Sequence, residues 1–97
     1  MIIVIGKFPT VYQGQEEEFR KWFDWSNQVL KEIPGLKSRK LAKNRNGDYI
    51  AIVEFDTFEA FKAMHTSNIH KLIHEKTSLL FRGMPKPEFF EVISTIA

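Results

Sequence analysis

In the first third of the chain, the hydrophobic pattern changes from that of a strand to that of a helix. Residues 2–8 are mostly β-branched and apolar and are followed by a proline, which predicts a strand. Apolar residues then recur at spacings of three and four over residues 19–33, which is typical of an amphipathic helix. The glutamates at positions 16–18 favour the N-terminus of this helix, and Pro34-Gly35 favours its end.

The middle of the chain has the pattern of a β-hairpin. Residues 36–43 predict a weaker strand, which carries several basic side chains. Asn46-Gly47 is the dipeptide that a two-residue hairpin turn prefers. Residues 49–55 then return as a strand with apolar positions on both faces, so we expect both faces to be covered.

The last third of the chain predicts helix followed by strand. Residues 56–59 have the spacing of a capping box with Asp56 in the cap position, which opens a helix. Polar residues at 66–68 interrupt this helix, and a second helical piece is predicted from about residue 69 to about residue 80. Two prolines end it, and the last strand is predicted over residues 88–96.

The order of these elements, β-α-β-β-α-β, predicts an α+β, ferredoxin-like fold for residues 1–97 as a single domain. Such a fold has a four-stranded antiparallel sheet with its helices on one face. Apolar residues alternate between the two faces, with Ile2 and Val4 on one and Ile3 and Ile5 on the other, so the face without helices would be apolar as well. Because this would leave several hundred Å² of apolar surface exposed, we predict a homodimer whose two sheets face each other.

Composition and charge narrow the class of protein. Of the 97 residues, 43% are hydrophobic, and 14 Lys and Arg against 12 Asp and Glu give a net charge of only +2, so we do not predict nucleic-acid binding. Five basic residues do fall within 37–45, but strand alternation places Lys40 on the face opposite the others. The absence of cysteine excludes thiolate metal sites, and the longest apolar stretch is far too short for a membrane span. We expect a cytoplasmic protein without a membrane anchor.

Short segments spread over almost the whole chain carry a family resemblance. They are residues 14–19, 33–36, 49–55, 58–61, 67–70 and 90–92. Together they resemble the antibiotic biosynthesis monooxygenase family, and the resemblance implies a dimeric α/β-barrel that acts as a monooxygenase on a planar aromatic or haem substrate. The alternative is a non-enzymatic, small-ligand-binding or stress-related dimer of the same fold. The absence of a cavity of about 300 Å³ or more would favour this alternative.

The haem-degrading branch of this family implies three site positions. Met64, His74 and Lys7 stand where that branch has a tryptophan, the histidine that binds iron, and an asparagine. Only His74 matches, so the resemblance implies His74 as the iron ligand if haem binds, without the tryptophan and the asparagine that accompany it in that branch.

Helical periodicity gives a different interpretation of His74. When Leu72, Ile73, Leu79 and Leu80 define the apolar side, a regular helix places His74 toward solvent. An exposed histidine, a ligand-binding histidine and a dimer contact therefore stay open. His70 and His74 are four residues apart, as two zinc ligands on one helix would be, but no third ligand is spaced to join them. We expect His65 at the surface.

Oxygenation without a cofactor requires a pocket that binds an acidic aromatic molecule, removes its proton and stabilises the anion. Trp25, Tyr12, Tyr49 and Arg82 are candidates for lining such a pocket, with Met64 and His74 from the resemblance. The alternative is that the aromatic residues belong to the core or to an interface. The sequence assigns no catalytic residue.

Overall fold

A computed structural model describes residues 1–96 of the chain. Its elements in chain order are β1 (Ile2–Lys7), α1 (Glu16–Leu30), β2 (Leu36–Lys43), β3 (Tyr49–Phe55), α2 (Phe58–His65), α3 (Asn68–Glu75) and β4 (Lys86–Glu91). The strands form one antiparallel sheet in the order β2-β3-β1-β4. This confirms the predicted α+β, ferredoxin-like fold. No helix within residues 1–96 is long and apolar enough to cross a membrane.

Helix α1 packs against the sheet through the predicted apolar stripe. Phe19, Phe23 and Leu30 are buried on this stripe, and three glutamates occupy the first turn. The helix ends at Leu30, three residues earlier than predicted, because the chain leaves it through tight turns. Gly35 completes these turns with φ of 82°, a conformation that glycine adopts without strain.

The β2–β3 hairpin differs from the prediction in its loop. Asn44 N–H donates to Asp48 O at 3.0 Å and Gly47 N–H donates to Asn44 O at 3.1 Å, so the loop has three residues between the paired ones. Only Gly47 has a positive φ there, whereas the predicted two-residue type I′ turn needs two such residues. The Asn44 side chain stabilises the wider loop, since its Oδ1 accepts from the N–H groups of Asn46 and Asp48 at 2.9 Å.

Helix α2 has a cap other than the predicted one, and α3 has a cap of its own. Thr57, not Asp56, caps α2, because Thr57 Oγ1 accepts from Ala60 N–H at 3.1 Å. Ser67 Oγ accepts from His70 N–H at 3.2 Å and starts α3 as a separate helix. The prediction that this second piece reaches residue 80 is wrong. It ends at Glu75, after which Thr77 Oγ1 donates to His74 O at 2.9 Å.

The last strand is shorter than the predicted 88–96. Strand β4 begins at Lys86 and ends at Glu91, which pairs with Ile2 at the start of β1. Because β1 begins there, no strand continues opposite residues 92–96, and Val92 N–H donates to Met1 O at 3.2 Å.

The two faces of the sheet have different surroundings. On the covered face, Val4, Val53 and Phe55 are buried beneath the helices in the main hydrophobic cluster. The residues between them point away from the helices. We call this second surface the open face, and its apolar residues are Ile3, Ile5, Ile50, Ile52 and Phe90. The aliphatic residues of the open face are half-buried, and Phe90 is exposed.

Candidate functional site

A cavity of about 100 Å³ lies between the covered face of the sheet and the three helices. Its wall is mainly aromatic and aliphatic, with Trp22, Phe55 and Phe61 among its side chains. Three polar side chains interrupt this wall, namely Arg39, His70 and His74. An apolar pocket with a few polar groups is the usual form of a small-molecule site.

Helix α3 brings two histidines to the cavity. His70 and His74 are one helical turn apart and both line it, so the expectation that His74 points to solvent is wrong. The expectation depended on Leu79 and Leu80, which lie beyond the end of α3. Within α3, Ile73 is 1% exposed. The inward side is therefore the one that Ile73 shares with the two histidines.

The surroundings of His74 favour a neutral imidazole. Burial lowers its pKa, and the charges of Arg39 and His65 lower it further. The ring packs edge to face on Trp22 at a centroid distance of 6.2 Å, and Trp22 Nε1 donates to Ile73 O at 3.0 Å, which joins α1 to α3. His74 Nδ1 is buried and has no hydrogen-bond partner among residues 1–96. A neutral imidazole nitrogen in that position can bind or deprotonate a ligand.

His70 stands between His74 and the surface. The three histidines of the chain form a row in which the ring of His70 lies 4.5 Å from that of His65 and 4.2 Å from that of His74, between centroids. Burial lowers the pKa of His70 to about 4, with smaller contributions from His74, His65 and Arg39. His65 is exposed, as expected. Within residues 1–96, no group of three or more His, Asp or Glu side chains is arranged to hold a metal ion.

Arg39 and His70 are the polar residues of the cavity that the sequence analysis did not include among the pocket candidates, and Arg39 lies on β2. It pairs with Val53 in the β2–β3 ladder and therefore points to the covered face. Its Nη1 donates to Ser26 Oγ and to Asn27 Oδ1, the second at 2.7 Å, and its guanidinium lies 4.1 Å from the centre of the Phe23 ring. Burial lowers its pKa to about 10, so it stays charged at neutral pH. One signal in the sequence indicates this placement. Arg39 lies two residues before the apolar Leu41, and alternate residues of a strand share a face.

The other predicted site residues divide among the cavity, other packed parts of the molecule and the surface. Met64 lines the cavity together with His74. Tyr49 is buried elsewhere, and its hydroxyl donates to Glu16 Oε2 at 2.9 Å. Trp25 lies under Lys76, whose Nζ is 5.6 Å from the ring centre. Three further candidates are exposed and lie outside the cavity, namely Lys7, Tyr12 and Arg82.

The size of the cavity limits what it can hold. A cavity of about 150 Å³ holds one benzene molecule, so the 100 Å³ observed here does not fit a porphyrin. The side chains around His74 therefore do not fit haem. The volume is also below the roughly 300 Å³ expected of an enzyme pocket. By the same comparison a single ring would enter only if a side chain moved, so the volume favours the alternative in which the interior is filled by its own side chains.

Comparison with known proteins supports the fold. No protein-family model and no curated protein matches the sequence. A Bordetella bronchiseptica structure described as a "putative antibiotic biosynthesis monooxygenase" has a TM-score of 0.84 at 14% identity, over 96% of this chain and 97% of that one. One from Caulobacter crescentus with the same description has a TM-score of 0.83 at 20% identity, over 96% of this chain and 90% of that one.

A third structure adds an activity to the comparison. It is a mutant of SnoaB from Streptomyces nogalater, described as a cofactor-independent oxygenase. Its TM-score is 0.76 at 21% identity, over 98% of this chain and 95% of that one. These likenesses confirm the predicted α+β, ferredoxin-like fold of the single chain.

Proposed function

We propose that the chain is a member of the antibiotic biosynthesis monooxygenase family that oxidises a small, single-ring aromatic substrate without a cofactor. The observation that carries this proposal is the position of His74, which lines the apolar cavity and whose buried Nδ1 has no hydrogen-bond partner among residues 1–96. The fold shared with a cofactor-independent oxygenase supports it. Met64 has a flexible side chain, so its movement can enlarge the cavity for a ring.

The chemistry begins with loss of a phenolic proton. His74 accepts the proton from a ring hydroxyl, which leaves an electron-rich anion that reacts with O₂. One oxygen atom enters the ring and the other leaves as water, with all four electrons coming from the substrate. Hydroquinone and O₂ would thus give hydroxybenzoquinone and one water molecule. The positive charge of Arg39 in the same wall stabilises the anion.

Oxygen uptake with hydroquinone and catechol tests this activity, and anthrone serves as a three-ring comparison that the cavity should reject. We expect uptake above the rate of autoxidation, and we expect His74→Gln to reduce it about 100-fold or more because the base is lost. Lys71→Gln is the matched control, since Lys71 is exposed on the same helix and does not line the cavity. Uptake no faster than autoxidation, or equal rates in the two variants, would contradict the proposal.

A non-enzymatic binding protein is the second candidate function. The cavity volume of about 100 Å³ favours it, because a binding site for one small ring needs no room for a reaction intermediate. Binding of phenol to the protein, together with no oxygen uptake for any phenol of the panel, would support this candidate over the oxygenase.

We also propose that the protein is a homodimer formed through the open face. The half-buried aliphatic residues of this face are bordered by Lys7, Lys40 and Lys86 and by Glu54 and Glu88, so two copies can place lysines opposite glutamates. A two-fold axis needs such self-complementarity. Sedimentation equilibrium at micromolar concentration should give a dimer, and a stable monomer would refute the proposal.

A further inference from the structure

Arg39 is a partly buried cation that has no carboxylate partner within residues 1–96. The four ion pairs among residues 1–96 are formed by Lys21, Lys37 and Lys43, and none includes Arg39. Its hydrogen bonds go to neutral oxygens of Ser26 and Asn27. Neutral partners orient a guanidinium but leave its charge uncompensated, and charges removed from water are normally paired.

The groups that face Arg39 from the other elements do not supply a negative charge. Phe23 of α1 offers only its ring, at 4.1 Å from the guanidinium carbon. His70 and His74 of α3 line the same cavity and are neutral or positive, never negative. Across the ladder, the partner of Arg39 in β3 is Val53. The polar end of the cavity therefore has a net positive charge.

A surface cleft of about 310 Å³ lies between the end of α1 and the start of β2. Leu30, Leu36 and Arg39 line both the cavity and this cleft, so the two spaces adjoin at these residues. Every charged side chain that lines the cleft is a cation, the other two being Lys31 and Lys37. Lys37 also pairs with Asp56 at 3.5 Å, outside the cleft lining. A negatively charged ligand would therefore meet favourable potential along the whole cleft.

We infer that this site takes a single-ring aromatic carboxylate, with the carboxylate on the guanidinium of Arg39 at the cleft and the ring in the apolar cavity. Nη1 is occupied by Ser26 and Asn27, which leaves the other N–H groups of the guanidinium for the carboxylate. The inference rests on the proposed function for the ring-binding cavity, and it names the substrate class as aromatic acids.

Calorimetric titration with benzoate and with benzyl alcohol, which has a similar shape and no charge, tests this inference. Benzoate should bind about 10- to 100-fold more tightly, which is the ratio expected from charge-assisted hydrogen bonds. Arg39→Gln should reduce benzoate affinity to that of benzyl alcohol. Arg45→Gln, which removes the same charge from an exposed loop, should leave it unchanged.

If Arg39→Gln fails to fold, the comparison of benzoate with benzyl alcohol on the wild-type protein still tests the inference. Arg39→Lys is a milder variant, because it retains the positive charge. Three results would overturn the inference: equal affinity for benzoate and benzyl alcohol, no loss of benzoate affinity in folded Arg39→Gln, or no benzoate binding at millimolar concentration.

Benzoate has no phenolic hydroxyl, so its binding is measured independently of oxidation. Uptake of O₂ with hydroquinone but no binding of benzoate would overturn the carboxylate inference and leave the oxygenase proposal standing. Binding of benzoate without oxygen uptake on any dihydroxybenzoate would overturn the oxygenase proposal and leave the carboxylate inference standing. The two failures are thus distinguishable.

Discussion

Strand β3 carries apolar residues on both faces, but the two faces differ in what lies against them. Tyr49, Ala51, Val53 and Phe55 are buried on the covered face. Ile50 and Ile52 alternate with these residues and are only half-buried on the open face. The same seven-residue strand therefore contributes to a packed interior on one side and to an aliphatic surface on the other.

The difference shows which face is suited to chemistry and which to association. The covered face meets aromatic rings such as Phe19, 4.8 Å from Tyr49 between centroids, and it contains the charged and titratable groups around the cavity. The open face offers aliphatic side chains bordered by lysines and glutamates, which suit contact with a second copy. Substitutions made on one face at a time test this distinction directly.

The largest effect is expected from truncation on the covered face. Phe55 is fully buried and packs on Phe61 at 5.7 Å between ring centroids, so Phe55→Ala should lower the free energy of unfolding by about 3–5 kcal/mol. Ile52→Ala, three residues away on the open face, should lower the free energy of unfolding of the isolated chain by only about 1 kcal/mol. Urea denaturation at low protein concentration measures both, and similar losses would mean that the two faces are equally buried.

A glycine next to the covered side gives the next largest effect. Gly35 has φ of 82°, and a Cβ added there would meet the Ala60 Cβ of α2 at 2.6 Å. Gly35→Ala should therefore cost about 2–3 kcal/mol, from the backbone conformation and the steric clash together. Gly47→Ala, at φ of 86° with no atom within 4 Å, should cost only about 1 kcal/mol for the backbone. Equal melting temperatures for the Gly35→Ala and Gly47→Ala variants would show that α2 does not pack closely against this turn.

The fold was largely predictable because its local signals agree with its packing. The bounds of β2 and β3 are those predicted, and the apolar stripe of α1 is the buried one. The errors arise where a neighbour decides the structure. The Asn44 side chain widens the hairpin loop, and β4 ends where β1 no longer pairs with it. Neither effect is visible in the periodicity of a single segment.

The candidate site was predictable only in part. Met64 and His74 were proposed from the family resemblance, and both line the cavity. Arg39 was grouped with the surface lysines, because its depth depends on the register of β2 and on a bulge near residue 37. Tyr49 and Arg82 were chosen for their chemistry, but packing places them outside the cavity. Residue types indicate what chemistry is available, whereas long-range pairing decides which groups meet.

A charge on the open face should affect association more than folding. Ile52→Glu would place a carboxylate near the centre of the proposed dimer interface, and we expect the dimer dissociation constant to rise at least tenfold, about 1.4 kcal/mol. Leu79→Glu is the matched control, because Leu79 is 79% exposed and lies outside the sheet. Sedimentation equilibrium measures both variants, and an unchanged constant for Ile52→Glu would show that the dimer, if formed, uses another surface.

The smallest effect is expected from titration on the covered face. Burial lowers the pKa of His70 from 6.5 to about 4, with His74, His65 and Arg39 as the charges around it. As pH falls below 6.5 the unfolded chain therefore binds this proton first, so stability present at neutral pH is lost progressively down to about pH 4. Because His70 is only half-buried, solvent screening limits the contribution of His70 to the free energy of unfolding to about 1 kcal/mol. His70→Gln should lose less stability than the wild type between pH 7 and pH 4, whereas Lys71→Gln, an exposed neighbour, should follow the wild type. Parallel urea midpoints for wild type and His70→Gln across this range would show that His70 is as hydrated in the folded protein as in the unfolded chain.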